Sequence, residues 1–145
     1  MKVIVINGPN LNKLGERNAS HYGTKTLDEI NELLKTEAKK EKINIEFFFS
    51  NIEGEIITAI QNFDGDAIII NAGGYTHYSI AIRDALESKN CIKVEVHLSN
   101  ILAREEFRSQ SVLSSVCSGT ITGFGYESYL LALDYISRHK GNTKK

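Results

Sequence analysis

The chain has 145 residues, 41% hydrophobic and 24% charged, with 17 basic against 18 acidic side chains and a formal net charge of −1. That length suits one domain whose core can stand without disulfides or a structural metal, and the composition excludes wholesale disorder. A charge balance this flat argues against nucleic acid or an anionic membrane as partner, because both are held by clustered Lys and Arg.

The longest apolar run, 129–133, has five residues and cannot span a bilayer. The opening residues carry too short an apolar stretch for a signal peptide. Cys91 and Cys117 are the two cysteines, with no CxxC spacing, which points to a reducing, cytoplasmic setting and no zinc framework.

In chain order, residues 3–6 are a continuous β-branched run, the signature of a strand covered on both faces. A polar loop with glycines follows over 7–25. Thr26-Leu27-Asp28-Glu29 reads as a capping box, and Leu27, Ile30, Leu33, Leu34 and Ala38 recur at helical spacing to about Lys40. Residues 43–49 read as a second strand. A second helix carries Ile52, Ile56, Ile57, Ile60 and Phe63, and a third strand covers 67–70. A third helix over 79–88 should turn Ile80, Ala81, Ala85 and Leu86 inward. A fourth strand covers 92–98, a short helix lies near 104–107, and a fifth strand covers 116–122. The last helix, 127–139, presents Leu130, Leu131, Leu133 and Ile136, and the tail 141–145 should fray. Strands alternating with helices require right-handed crossovers, so the expected fold is α/β: one flavodoxin-like, doubly wound domain over 1–145, with a five-stranded parallel sheet and helices on both faces.

Ligands of such folds bind beyond the carboxyl ends of the strands, and unusual polar residues collect there. Asn7, Asn10, Asn12, Arg17 and Tyr22 follow the first strand; Asn71, Gly73, Gly74 and His77 follow the third; Glu95, His97, Ser99 and Asn100 close the fourth, with Arg108 soon after. Glu95 and His97 lie two apart on one strand and share a face, where a buried charge needs partners. Taken singly, Arg17 reads as a surface charge, Tyr22 as a loop anchor and Cys117 as a small core residue. The spacing of His77 and His97 matches no familiar metal set, so no metal is expected. Neither GxxxxGK[ST] nor GxGxxG occurs; Asn71 stands where a phosphoacceptor switch would want Asp, and only Lys93 could offer an imine nitrogen. Arginines with Asn and His suit a small, anionic, hydroxylated ligand. A guanidinium near a phenol favours the phenolate, which makes Tyr22 a candidate base. Glu95 bonded to His97 would set the imidazole tautomer and raise its basicity, which makes His97 a candidate acid.

These residues stand in motifs that resemble type II 3-dehydroquinate dehydratase: Asn7-Gly8-Pro9-Asn10-Leu11-Asn12, Leu14-Gly15 with Arg17 and Tyr22-Gly23, Asn71 through His77, Glu95 through Asn100, and Arg104 through Arg108. The resemblance runs from Ile6 to about Leu133. It implies dehydration of 3-dehydroquinate to 3-dehydroshikimate through an enolate, in the shikimate pathway, without metal, organic cofactor or lysine imine. It implies Tyr22 as base with Arg17 beside it, His97 as acid with Glu95 behind it, and Asn12 holding a water at the enolate oxygen. It implies Asn71, His77 and Arg108 on the ring hydroxyls, and the amides near Leu98 and Ser99 on the carboxylate. It further implies a homododecamer, a tetramer of trimers, in which Asp84 completes a neighbour's site. The chain departs from the family where Ala19 and Ala72 replace Pro and Gly74 replaces Ala, changes that loosen the loops. Two rival readings are a related lyase or isomerase acting on another hydroxylated carboxylate, and a non-catalytic module binding a phosphate or nucleotide.

Overall fold

The structure is a computed structural model that describes residues 1–141, so most of the tail expected to fray lies outside the described residues. Five parallel strands form one sheet in the order β2-β1-β3-β4-β5. They are β1 (Lys2–Asn7), β2 (Asn44–Phe49), β3 (Ala67–Asn71), β4 (Ile92–His97) and β5 (Gly119–Thr122). The helices are α1 (Ala19–Tyr22), α2 (Leu27–Lys40), α3 (Glu53–Asn62), α4 (Ile80–Glu87) and α5 (Glu127–Arg138). This strand order is the flavodoxin-like one, and it puts the topological switch between β1 and β3.

The pleat of the sheet divides the core. Val3, Val5, Ile69, Val94 and Val96 face one side, where Ile30 and Leu34 of α2 and Tyr129, Ala132 and Leu133 of α5 cover them. Ile4, Ile6, Ile68 and Ile70 face the other, under Ile56 and Ile60 of α3 and Ile82 and Leu86 of α4. The central strands are buried on both faces, which explains why they read as unbroken apolar runs. The even-odd phase of β4 then places Lys93, Glu95 and His97 on the α3–α4 side.

The capping box at Thr26 and Glu29 is present, and Ser79 caps α4 by accepting from the Ile82 amide at 3.0 Å. Several expectations change. Ile80 and Ala81 face outward and Ile82 takes the core position, because Ser79 as N-cap sets the phase of α4. Leu33 and Leu131 are more than a third exposed, while Tyr129 and Ala132 are fully buried. Ile52 stands exposed before α3 as its N-cap. The helix expected near 104–107 is two 3-10 turns, Ile101–Ala103 and Glu106–Arg108. The fifth strand starts only at Gly119, because Ser114–Val116 turns to bring a serine hydroxyl onto Glu95.

Two loop glycines fix the floor of the switch region. A Cβ on Gly8 would sit 2.6 Å from the Ala72 carbonyl oxygen, so the loops after β1 and β3 touch backbone to backbone there. Gly73 has φ +59° and packs on the Pro9 carbonyl, a conformation and a clearance that a side chain would not permit.

Candidate active site

The loops after β1, β3 and β4 enclose a cavity of about 200 Å³. Arg17, Tyr22, Asn71, His77, His97, Leu98, Ser99 and Arg108 line it. A larger cavity of about 570 Å³ lies between β2 and α2, but it holds neither histidine and no arginine.

α1 carries Tyr22 on a short lid. Asn18 caps it by accepting from the Ser20 amide at 3.0 Å, and Gly23 ends it with φ +73°. The lid lies over the cavity. The Tyr22 hydroxyl accepts from Arg17 Nη2 at 3.0 Å and from Arg104 Nη1 at 2.7 Å. Both guanidinia also lie against the Tyr22 ring, at 4.0 and 5.2 Å from its centroid. Two cations donating into one phenol oxygen stabilise negative charge on it. Arg104 opens the motif that ends at Arg108; its contact with Tyr22 spans 82 residues of chain, so only the fold reveals it.

Glu95 is fully buried behind His97, on the same face of β4, and does not itself line the cavity. Its Oε1 accepts from His97 Nε2 at 2.7 Å and from Ser111 Oγ at 2.7 Å. Ser114 Oγ and Thr120 Oγ1 donate to its Oε2. Burial works against the charged form, but the hydrogen bonds from His97, Ser114 and Ser111 outweigh it and hold the carboxyl below its ordinary value. The ionised carboxylate fixes the His97 proton on Nε2, which leaves Nδ1 as the ring atom that can meet a ligand. The three hydroxyls come from chain beyond β4, and no sequence spacing signals them.

Asn71 is buried. Its Nδ2 donates to Tyr129 Oη at 2.9 Å, and its Oδ1 accepts from the Gly73 amide at 3.2 Å. Tyr129 in turn donates to Asn7 Oδ1 at 2.5 Å. Burial pushes the Tyr129 phenol well above its ordinary value, so it serves as a neutral clamp between β1 and β3. His77 points its Nδ1 at the Gln110 carbonyl at 2.7 Å, a bond that makes Nδ1 the donor and leaves Nε2 for the cavity. Leu98 and Ser99 are nearly buried, and their amides donate to no group among the described residues. Unpaired amides beside Arg17, Arg104 and Arg108 make the cavity a seat for an anion. Arg108 is also paired with Glu105.

Two predicted residues stand elsewhere. Asn12 is exposed on the 3-10 turn Leu11–Lys13 and lines the larger cavity. Asn10, two residues earlier, lines the smaller one in its place. Its φ of +69° belongs to the left-handed region that Asn tolerates better than most residues, and this turn sends Asn12 outward. Asp84 lies on the exposed side of α4, paired with Arg83 at 3.3 Å, outside its own chain's cavity. Cys117 is no nucleophile: burial first, then the Glu95 charge, push its thiol up to about 12. Lys93 Nζ donates to the carbonyls of Leu86 and Lys89 at the end of α4, away from the site. No group of three or more metal-ligating side chains stands together among the described residues, and no helix there is long and apolar enough to cross a membrane.

The sequence profile of Dehydroquinase class II matches residues 1–137. The 3-dehydroquinate dehydratase of Thermotoga neapolitana is 48% identical over 145 residues, all of both chains. That of Nitratiruptor sp. is 55% identical over 135 residues, 92% of this chain and 86% of the relative. The type II dehydroquinase structure from Butyrivibrio crossotus superposes with a TM-score of 0.91 at 48% identity, covering 94% of this chain and 97% of the other. The one from Propionibacterium acnes gives 0.92 at 38% identity, covering 94% and 96%. With its motifs gathered at one switch-point cavity and its full length matched, the chain belongs to the class II dehydroquinase family.

Proposed function

We propose that the protein dehydrates 3-dehydroquinate to 3-dehydroshikimate, and that this reaction serves the shikimate pathway of aromatic amino acid biosynthesis. One observation carries the mechanism: a tyrosine hydroxyl gripped by two guanidinia and a carboxylate-backed histidine line the same 200 Å³ cavity. The substrate carboxylate lies on the Leu98 and Ser99 amides. Asn71, His77 and Arg108 take ring hydroxyls. Tyr22, as phenolate, removes the C2 proton, and the bonding pair moves toward the C3 carbonyl to form an enolate. Asn10, which lines this cavity where Asn12 does not, holds a water at that oxygen, a preorganised donor role. The enolate collapses to the conjugated double bond and expels the C1 hydroxyl, which takes the proton from His97 Nδ1 and leaves as water. Glu95 keeps the imidazolium oriented throughout. The cycle closes when the Tyr22 proton returns to His97. All of these steps use the chain's own side chains and amides and one water, with no metal or organic cofactor assigned a part.

Asp84 would complete a neighbour's cavity in a tetramer of trimers. The exposed Tyr78 and Ile80, six and four residues before it, are the kind of apolar surface a subunit contact covers. A monomer in sedimentation velocity would contradict this assembly. Cytoplasmic placement belongs to the same proposal. The test of the reaction is the ultraviolet absorbance of the enone carboxylate after 3-dehydroquinate is added to EDTA-treated protein. A rise in wild type that is lost in Tyr22→Phe, with substrate still bound, supports the assignment; a flat wild-type trace refutes it.

A further inference from the structure

We propose that the 570 Å³ cavity between the loop after β1, the first turn of α2 and the carboxyl end of β2 is a second small-molecule site, for a neutral polyhydroxylated ring. Its volume lies within the range of small-ligand pockets, about 300–1,000 Å³. It opens at the carboxyl ends of β1 and β2, where ligands of this fold bind. Asn7, at the end of β1, is 1% exposed and lines it. The Oδ1 of Asn7 accepts from Tyr129, and its Nδ2 has no partner among the described residues. Asn31 of α2 lines the same cavity with a buried, unpartnered Oδ1. One unmet donor and one unmet acceptor in a single cavity are what a hydroxylated molecule satisfies, since each hydroxyl both gives and takes a hydrogen bond.

Charge decides the class of ligand. Asp28 and Glu16 line this cavity and no Lys or Arg does, though Lys13 pairs with Glu16 at 3.7 Å, so Asp28 is the carboxylate without a cation partner among the described residues. A carboxylate or phosphate finds no cation in this lining, whereas hydroxyls donate readily to carboxylates. The 200 Å³ cavity is the electrostatic opposite, with Arg17, Arg104 and Arg108 in its wall. An ammonium ion would suit the two acids but leave Asn7 Nδ2 unmet. Phe47 and Phe49 supply the apolar surface on which the C–H face of a ring can lie. This site does not depend on the reaction proposed above.

The probe is myo-inositol, titrated onto the intact, assembled protein and followed by saturation-transfer NMR. Asn31→Leu removes the acceptor and fills the cavity with a good helix former, so the fold tolerates it. Asp28→Asn removes one carboxylate. Binding to wild type should be saturable, about tenfold or more weaker in Asn31→Leu, weakened in Asp28→Asn, and unchanged in Arg108→Ala. The proposal is overturned by absence of saturable binding to wild type, as when a neighbouring copy covers the cavity. Loss of binding in Arg108→Ala alone would place inositol in the other cavity and overturn it. So would tighter binding of putrescine than of inositol.

Discussion

Replacing Arg104 with Ala tests whether the phenol of Tyr22 depends on a second cation. Arg104 Nη1 lies 2.7 Å from the Tyr22 oxygen and 3.3 Å from Ser99 Oγ, and its Nε is buried without a partner. Tyr22 is the closest partner of this guanidinium, so truncation removes its action on the phenol together with part of the cavity's positive charge. A hydrogen bond to a charged group contributes about 1.5–3 kcal/mol. If that bond is made to the phenolate as the C2 proton is taken, kcat falls by roughly 10- to 150-fold. Arg17 at 3.0 Å remains, so the loss should stop short of that in Tyr22→Phe. The assay is initial-rate kinetics of enone formation over a range of pH, with Arg104→Lys as a charge-retaining control expected to fall between. A kcat within twofold of wild type for Arg104→Ala, in folded protein, would refute the reasoning.

Other outcomes follow from the same geometry. His97→Ala should lower kcat by about 10²–10⁴-fold, the usual reach of general acid catalysis, with substrate binding retained in equilibrium dialysis. Asn10→Gly should reduce kcat without strain, since glycine accepts the positive φ, while Asn12→Ala should leave turnover unchanged; the reverse ranking in steady-state kinetics would restore Asn12 to the site. The lowered value of Glu95 means its contribution to stability is complete above the unfolded-state value, about 4.3, and is lost as pH falls through the folded one. Glu95→Gln should therefore be less stable at neutral pH and approach wild type on acidification in denaturant titrations; a constant gap would contradict the assignment. Ala19 occupies the first position of α1, where proline is well tolerated and its amide donates to no group among the described residues. Ala19→Pro should tighten KM and slow proteolysis of the lid, and unchanged values in both would show that the lid is no looser for lacking proline.

Much of this protein is written locally. The β-branched runs at 3–6 and 67–70, the Thr26–Glu29 capping box and the strand-helix alternation specify the elements and the class of fold, because periodicity and capping act within a few residues. The same local logic puts Glu95 and His97 on one face of β4. Phase and long-range partnership are another matter. One N-cap at Ser79 turned Ile80 out and Ile82 in, and one left-handed residue at Asn10 sent Asn12 away from the cavity. The Arg104–Tyr22 contact, the serine and threonine shell of Glu95, and the Tyr129 clamp between Asn7 and Asn71 join residues from 16 to 122 positions apart. No spacing rule reaches across such separations. Only the packing of loops at the β1–β3 switch decides which of the chain's many polar residues meet there and which stay in solvent.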